Sequence, residues 1–301
     1  MQSVYAILQS NSDNLTKEEK FLLGSIDRMY DLYVLMLSLL VNVQDMAINH
    51  MEIKKKKHFA SSEDKDPSTN FINNQLILGL KESTSLQQYI EDKRLNNWND
   101  DHEFVRVIWD LVQKNEIYRE YTSTKTSSFE ADKKFVLDIF KNVIAPNEKL
   151  AEYFEDQSIS WVDDIPFVNT WIVRSFNTMG ANKTFVLDSL YKDESDREFV
   201  LELFRKVILN HEKYDEDINS KTPNWDTDRI ANIDLILIKM GLSEFLHFPS
   251  IPTKVSINEY IEIAKDYSSK KSSFFVNGVL DKILKEYIET KRIKKIGRGL
   301  L

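Results

Sequence analysis

Few of the side chains that could perform catalytic or metal chemistry are grouped in this sequence. It contains no cysteine, and none of its five histidines forms a His-x-x-x-His pair, so no thiolate site or helical histidine zinc site is predicted. Asp163 and Asp164 form the best carboxylate pair, but no nucleophile or base accompanies them, and helix capping is the preferred interpretation. The seven glycines form no phosphate-binding loop. We therefore expect a protein that is not an enzyme and uses no cofactor or metal.

Charge is unevenly distributed along the chain and suggests binding instead. The formal net charge is −8, yet residues 251–301 hold 11 Lys and Arg against 6 Asp and Glu, which is +5 and leaves −13 for residues 1–250. A basic end on an acidic chain is typical of a surface that meets a polyanion, although a solvated charged helix would give the same counts.

The elements that must position any binding residues are predicted to be helices. Only seven Gly and six Pro occur in 301 residues, which is too few for the turns of a sheet-rich fold. The spacing of Thr16 and Glu19 is that of a capping box and predicts the start of a long helix. Apolar residues then recur every three or four positions from Leu22 to Leu40. We expect this helix to end in the lysine run 54–57 and a polar loop to follow around Pro67.

The cysteine content, the N-terminal residues and the length of the longest apolar run favour a cytoplasmic protein. The absence of cysteine fits a reducing compartment. The first five residues lack the basic start and the apolar stretch of a secretory signal. The longest apolar run, Leu32 to Val41, is interrupted by Ser38 and is too short to cross a bilayer, so a buried helix is predicted there and no membrane partner is expected.

An internal repeat joins the middle of the chain to its last third. When the sequence is shifted by 64 positions, identical residues coincide at Asp132 and Asp196, at Phe140 and Phe204, and at eight further pairs ending with Trp161 and Trp225. A weaker third copy begins at Glu103. The predicted unit is a helix, a loop, a tryptophan and another helix, and it must stack on a neighbour to bury its apolar face.

The last third has its own helix signals. Pro252 disfavours helix in the residue before it, and Ser256 with Glu259 forms a second capping box, so a helix is predicted to start near Ser256. A polar loop, residues 268–273, precedes another helix that is expected to begin around Phe274. Gly278 costs about 1 kcal/mol relative to Ala inside a helix. We therefore predict that Gly278 allows a close helix contact and that Asn277 has a buried hydrogen-bond partner.

Three linked segments in this region carry a family resemblance. They are Arg229-Ile230-Ala231-Asn232-Ile233-Asp234 through Leu242, then Ile251-Pro252-Thr253-Lys254-Val255-Ser256-Ile257-Asn258-Glu259, then Phe275-Val276-Asn277-Gly278-Val279-Leu280-Asp281. In order and spacing they resemble the NusB family of transcription antitermination factors, over residues 195–290 and with Gln2–Gln9 similar to the second half of the family's first helix. The resemblance implies an all-α fold of helical bundles. It also implies binding to boxA, a single-stranded RNA element of ribosomal operons, with NusE, a ribosomal small-subunit protein, in an RNA polymerase antitermination complex.

The resemblance also assigns roles to individual residues. It implies RNA contacts for Tyr5, Lys239, Lys270, Lys271 and Phe275. It places Asp234 and again Phe275 at the surface for the protein partner. The residues Pro252, Asn258, Glu259, Asn277 and Gly278 are interpreted as structural parts of the motif.

The chain departs from the family pattern in two places. Family members begin with an Arg-rich segment, whereas this sequence starts at Met1-Gln2. We expect either that the basic tail 291–298 replaces this phosphate clamp or that the coding start lies upstream. The second departure is a large helical extension between about residues 12 and 190. The predicted organisation is therefore a helical region, 1–190, that includes the family-like first helix 1–10, followed by an RNA- and partner-binding domain, 191–301.

Two alternative functions remain open. The repeats could make the chain a non-catalytic scaffold for protein interactions, in which the NusB-like domain is only a folding module. The chain could instead carry the accessory RNA-binding domain found on some RNA methyltransferases, but it has no cofactor-binding Rossmann half. The preferred hypothesis is an antitermination factor that acts by assembly and not by catalysis.

Overall fold

The computed structural model describes residues 1–10, 12–56, 67–124, 126–181, 183–221 and 230–300. In these ranges the chain forms α-helices, one π-helical turn and one 3-10 turn, and no strand is assigned in them, which confirms the all-α prediction. The α-helices in chain order are α1 Gln2–Ser10, α2 Leu15–Lys55, α3 Gln75–Lys81, α4 Thr84–Lys93, α5 Asn97–Asp100, α6 His102–Lys114, α7 Glu116–Ser123, α8 Phe129–Ile139, α9 Glu148–Gln157, α10 Trp161–Thr178, α11 Glu194–Leu209, α12 His211–Lys221, α13 Asn232–His247, α14 Thr253–Tyr267 and α15 Ser272–Glu289. The π turn is Phe140–Ile144 and the 3-10 turn is Gly297–Leu300.

The chain divides into two compact units. Unit 1 consists of Met1–Leu23 and Tyr191–Leu301, and unit 2 consists of Gly24–Leu190. Each unit has its own cluster of buried apolar side chains. The first helix α1 is therefore part of the same unit as the C-terminal helices.

The core of unit 2 is built around α2. Every residue from Leu32 to Leu40 is buried, and a helix that is buried on all sides is apolar on all sides. Indole N–H groups hold other segments to this helix, since Trp98 Nε1 donates to Leu35 O at 2.9 Å and Trp161 Nε1 donates to Arg28 O at 2.8 Å. The prediction of a buried helix at residues 32–41 is confirmed.

The same helix has the composition of a membrane span. Within the described residues, α2 contains an 18-residue window long and apolar enough to cross a bilayer, although 67% of that window is buried. Core helices of globular proteins share these properties. The apolar run from Leu32 to Val41 is shorter than this 18-residue window, so the length of the run alone understates how apolar the helix is.

The start of α2 differs from the predicted capping box. The helix begins at Leu15, and the Asn14 side chain accepts a hydrogen bond from Lys17 N at 3.0 Å. Glu19 instead accepts hydrogen bonds from Arg205 Nε and Nη2 on α11, at 2.5 and 2.7 Å, and these lower the pKa of Glu19. A bidentate guanidinium is a stronger partner for a carboxylate than a backbone amide, so the capping-box prediction was wrong. The end of α2 at Lys55 falls within the predicted lysine run, of which Lys57 is outside the described residues.

The two copies of the repeat have similar successions of helices. In the first copy α8 and the π turn span residues 129–144, α9 follows, and Trp161 begins α10. In the second copy α11 spans residues 194–209 and α12 follows, while Trp225 lies outside the described residues. The predicted loop between the first helix and the tryptophan was wrong, because a complete second helix occupies that position in the first copy.

Candidate nucleic-acid and partner interface

Three closely packed helices, α13, α14 and α15, form the frame of the candidate interface. Gly241 on α13 allows the closest approach, since a Cβ atom there would lie 2.8 Å from Leu280 Cδ2 on α15. On the same helix Glu244 accepts a buried hydrogen bond from the hydroxyl of Tyr260 on α14. A missing side chain and a buried polar pair together fix how these helices lie against one another.

The helix α14 begins one turn earlier than predicted. It starts at Thr253, directly after Pro252, whose carbonyl accepts from Val255 N and Ser256 N at 3.0 and 3.2 Å. Ser256 is thus inside the helix and fully buried. The predicted capping box of Ser256 and Glu259 was therefore wrong, whereas the prediction that Pro252 precedes a helix start was correct. Proline fixes φ near the value that a helix entry needs.

The turn between α14 and α15 displays two lysines. Ser272 Oγ lies 2.9 Å from Ser268 Oγ and 2.8 Å from Ser269 Oγ, and it accepts from Ser269 N at 3.2 Å. This network closes the turn, and α15 starts at Ser272, two residues before Phe274, around which the start was predicted. Lys270 and Lys271 lie within the turn, and both are exposed. The serine network therefore presents two positive charges side by side.

An exposed aromatic ring follows the lysine pair. Phe274 is 78% exposed, whereas the predicted contact residue Phe275 is half-buried and packs against the core of unit 1. Helical spacing explains the difference, because the buried positions of α15 include Val276, Leu280 and Ile283, and Phe274 lies on the opposite face. Sequence reasoning missed Phe274, although the periodicity of the following apolar residues contained the signal.

Two residues expected at the binding surface are in the interior. Asp234 is 5% exposed in the first turn of α13. Lys239 is 6% exposed, and its Nζ lies 2.8 Å from Asp215 Oδ2 on α12. A buried ammonium with one carboxylate partner is a structural ion pair, so the prediction that these residues are at the surface was wrong.

Four motif residues that were interpreted as structural lie at the surface instead. Asn258 and Glu259 on α14 are exposed, as are Asn277 and Gly278 on α15. A Cβ atom at Gly278 would meet nothing within 4 Å. The predictions that Gly278 allows a close helix contact and that Asn277 has a buried partner were therefore wrong. Gly241, 37 positions earlier, fills the role that the sequence pattern assigned to Gly278.

Sequence comparison with known proteins identifies relatives of the region that contains these helices. The NusB family model matches residues 172–285. A protein of Salinibacter ruber named transcription antitermination protein NusB is 46% identical over 112 residues, which are 37% of this chain and 70% of the relative. The chain belongs to the NusB family. Proteins of the same name from Chloroherpeton thalassium and Methylacidiphilum infernorum are 39% and 43% identical, over 43% and 31% of this chain and 61% and 66% of their own lengths.

The NusB match is confined to part of the chain. The chain spans between 61% and 70% of the length of these three relatives. The family model begins at Ile172, near the end of α10, and ends within α15, so most of unit 2 is outside it. No solved structure matches the chain.

The basic tail after the NusB region is only partly available for binding. Arg292 forms hydrogen bonds of 2.9 and 3.1 Å with the Asp217 carboxylate, and its guanidinium lies 4.0 Å from the Tyr287 ring centroid. Burial opposes ionisation of Asp217, but the hydrogen bonds from Arg292 and Tyr287 prevail and lower its pKa. Lys295 donates to Glu244 O and Phe248 O at 3.1 and 2.9 Å, at the end of α13, and burial lowers its pKa. Two of the five cations in residues 291–298 are therefore structural.

Tyr5 occupies a surface position on α1. Val4 and Ile7 on the same helix are buried in the core of unit 1, whereas Tyr5 is 40% exposed. Its ring is accessible from solvent, and the RNA contact that the resemblance implies for it stays a prediction. Arg229, at the start of the first motif, lies outside the described residues.

Proposed function

We propose that this chain is a transcription antitermination factor that binds boxA-type RNA of ribosomal operons together with NusE. In this proposal it acts in the cytoplasm, within the RNA polymerase antitermination complex, by assembly and without catalysis. Membership of the NusB family supports the general role. The observation that carries the RNA proposal is the exposed group formed by Lys270, Lys271 and Phe274, which we call the α15 entry surface.

The chemistry of the α15 entry surface suits single-stranded RNA. Two adjacent ammonium groups can neutralise phosphates. An exposed aromatic ring can stack on an unpaired base, and such stacking is worth about 1–3 kcal/mol per base. Tyr5 would supply a second ring, and the exposed tail residues Lys291, Lys294 and Arg298 would extend the basic path.

The exposed motif residues of α14 and α15 suit a protein partner. Asn258 and Asn277 offer amide donors and acceptors at the surface. An exposed glycine within a helix costs about 1 kcal/mol of helix propensity relative to Ala, and Gly278 gains no internal packing in return. Close approach of a partner backbone would use the space that the missing side chain leaves. We therefore place NusE on this face, and we assign Asp234 and Lys239 to the interior of unit 1 and not to the binding surface.

The test is a titration of boxA RNA with and without NusE, in which RNA affinity and its salt dependence are measured. Lys270→Glu with Lys271→Glu should weaken RNA binding in the ternary complex and flatten the plot of log affinity against log salt, since each neutralised phosphate contributes a slope of about −0.7. Phe274→Ala should weaken RNA binding more than Phe275→Ala does at equal folded fraction. Affinity for NusE alone should stay unchanged in the lysine variant.

The matched control carries the same change of charge in unit 2, at the exposed residues Lys141 and Lys149. Lys141→Glu with Lys149→Glu should leave both RNA affinity and slope near their original values. If both lysine pairs reduce affinity equally, the effect is one of net charge and the α15 entry surface is not the RNA site. If no boxA binding occurs even with NusE, the scaffold hypothesis becomes the better one, and the extent of unit 2 outside the family match favours it.

A further inference from the structure

Unit 2 exposes a strip of apolar side chains at the start of α10. Ile159, in the turn before the helix, is 73% exposed, Val162 is 44% exposed and Phe167 is 55% exposed. Pro166 lies beside them and is also exposed. Steps of three or four residues place Ile159, Val162 and Pro166 on one side of the helix. Phe167 lies next to this side of the helix, and we call the four residues together the α10 strip.

Most of the α10 strip is not required for the packing of its own helix, although the ring of Phe167 also contacts Trp171 at 5.9 Å between centroids. The inner side of α10 already buries Trp161, Val168 and Trp171 against the core of unit 2. Each large apolar side chain left in water forgoes the free energy that its burial would contribute. A proline inside a helix also removes a backbone hydrogen-bond donor. The outer side therefore carries features that disfavour the isolated fold.

Acidic residues border this strip. The exposed face of α9 carries Glu148, Glu152, Glu155 and Asp156, with Lys149 as its one exposed cation. The turn 158–160 joins the end of α9 to the start of α10, and the rings of Phe154 and Trp161 pack across it at 5.8 Å between centroids. Glu155 and Asp156 therefore lie near the Ile159 end of the strip. Among the described residues, neither of them forms a salt bridge.

The negative charge of the residues that flank the strip determines which kind of molecule could bind there. Nucleic acid and anionic lipid would be repelled by four exposed carboxylates. A second copy docked symmetrically on the same face would place these carboxylates against their own equivalents. A protein helix with apolar residues on one side and Lys or Arg on its flanks could pack its apolar side on the strip and pair its cations with the flanking carboxylates.

We propose that the α10 strip is a docking site for a basic amphipathic helix of a partner protein. The large apolar side chains of that helix bury Val162 and Phe167, and its flanking cations face Glu155 and Asp156. This function uses unit 2, goes beyond RNA binding by unit 1 and does not depend on it.

The test uses a fluorescent 18-residue amphipathic peptide of leucine and lysine as the probe, with the full chain and fluorescence anisotropy as the readout. A peptide with glutamate in place of lysine is the negative probe. The lysine peptide should bind with an affinity that falls as salt rises, and the glutamate peptide should not bind. Phe167→Ser with Ile159→Ser should weaken binding at least tenfold. Glu155→Lys with Asp156→Lys should weaken it at least tenfold and flatten its salt dependence.

Matched controls are available in unit 1. Leu209→Ser removes a side chain that is 70% exposed on α11, and Glu198→Lys with Glu202→Lys makes the same change of charge at exposed positions. Both controls should bind the lysine peptide within twofold of the original chain. Equal losses in strip and control variants, or equal binding of both peptides, would overturn the proposal.

Two further measurements separate peptide docking from effects on folding and on self-association. Ile159 is 73% exposed and lies before α10 begins, so the thermal midpoint of Ile159→Ser should match that of the original chain, and Val162→Ser serves as a second variant if it does not. Sedimentation of the chain without peptide should show no self-association that depends on Phe167. A strip-dependent dimer would assign the strip to a second copy and refute the basic partner.

Discussion

Unit 1 and unit 2 differ in how their helices approach one another. In unit 1 a glycine, Gly241, meets Leu280 where α13 crosses α15, and an ion pair between buried Lys239 and partly exposed Asp215 joins α12 to α13. In unit 2 the contacts around α2 are made by large rings, such as Trp171, which stacks on Tyr33 with centroids 4.3 Å apart. Packing through small residues fixes helix positions closely, whereas rings contribute large buried areas.

The two units also differ in net charge and in their similarity to the NusB family. Residues 24–190 carry 19 Lys and Arg against 26 Asp and Glu, a net charge of −7, which leaves −1 for unit 1. The NusB family model covers most of α11 to α15 and only the last part of unit 2. A nearly neutral unit with an exposed lysine pair suits RNA, and an acidic unit with an exposed apolar strip suits a basic protein. The comparison therefore suggests two binding functions of opposite charge preference in one chain.

The largest effect is expected from Trp171→Ala in unit 2. Trp171 is 5% exposed, stacks on Tyr33 and donates from Nε1 to Asp188 Oδ2 at 3.0 Å. Removing a buried tryptophan should lower the free energy of unfolding by about 3–5 kcal/mol. Denaturant unfolding followed by circular dichroism measures this. If the units are independent, boxA binding by unit 1 should survive at temperatures where unit 2 has melted, and its simultaneous loss would show that the two units fold as one.

A second large effect is expected from Gly241→Leu in unit 1. The new side chain would overlap Leu280, whose Cδ2 lies 2.8 Å from the position of a Cβ atom. Overpacking of this kind costs about 1–3 kcal/mol, and it should shift α13 relative to α15. We expect a lower thermal midpoint together with weaker NusE binding. A variant with an unchanged midpoint would mean that the helices of unit 1 are not held by this contact.

The sequence correctly predicted that both units are helical. It was wrong about which side of several helices is buried and which is exposed. Composition and periodicity were sufficient for the fold class, because a scarcity of turn residues and a spacing of three to four are properties of single segments. The long buried helix α2 was found for the same reason. The capping boxes at Thr16 and Ser256 failed because Glu19 has a tertiary partner and Pro252 starts α14 earlier.

The errors at the candidate site have one physical origin. Burial of Lys239 depends on Asp215, which is 24 positions away in the sequence, and no local pattern announces such a pair. Gly241 and Gly278 both lie inside helices, and what distinguishes them is that Leu280 and Tyr260 pack against Gly241. Phe274 could have been found, since the apolar residues that follow it define the inner face of α15. Side chains whose roles depend on distant partners need the structure.

A smaller, pH-dependent effect is expected from Asp164→Asn in unit 2. Burial, followed by repulsion from Asp163, raises the pKa of Asp164 to about 6 in spite of nearby Arg28. The folded state therefore binds a proton more readily than the unfolded state, so ionised Asp164 destabilises the fold above pH 6, and this penalty disappears as pH falls towards 4. After allowance for solvent screening, we expect the variant to be more stable by about 1 kcal/mol at pH 8.

The measurement is the difference in unfolding free energy between variant and original chain at pH 8 and at pH 4. The difference should shrink at the lower pH. Asp156→Asn, at an exposed position, is the control and should give the same small difference at both pH values. A gain for Asp164→Asn that is equally large at pH 4 would contradict the assigned cause.

The smallest effect on stability is expected from Gly278→Leu, the counterpart of Gly241→Leu on the exposed side of α15. Nothing lies within 4 Å of a Cβ atom at Gly278, so no overpacking arises, and the higher helix propensity of leucine should add about 0.5–1 kcal/mol of stability. The proposed docking of NusE predicts the opposite sign for binding, because the new side chain fills the space that a partner backbone would use. Calorimetric titration with NusE should therefore show weaker binding by a more stable protein. Gly278→Leu that binds NusE as well as the original chain does would place the partner elsewhere on unit 1, and a loss of stability would show that Gly278 is packed after all.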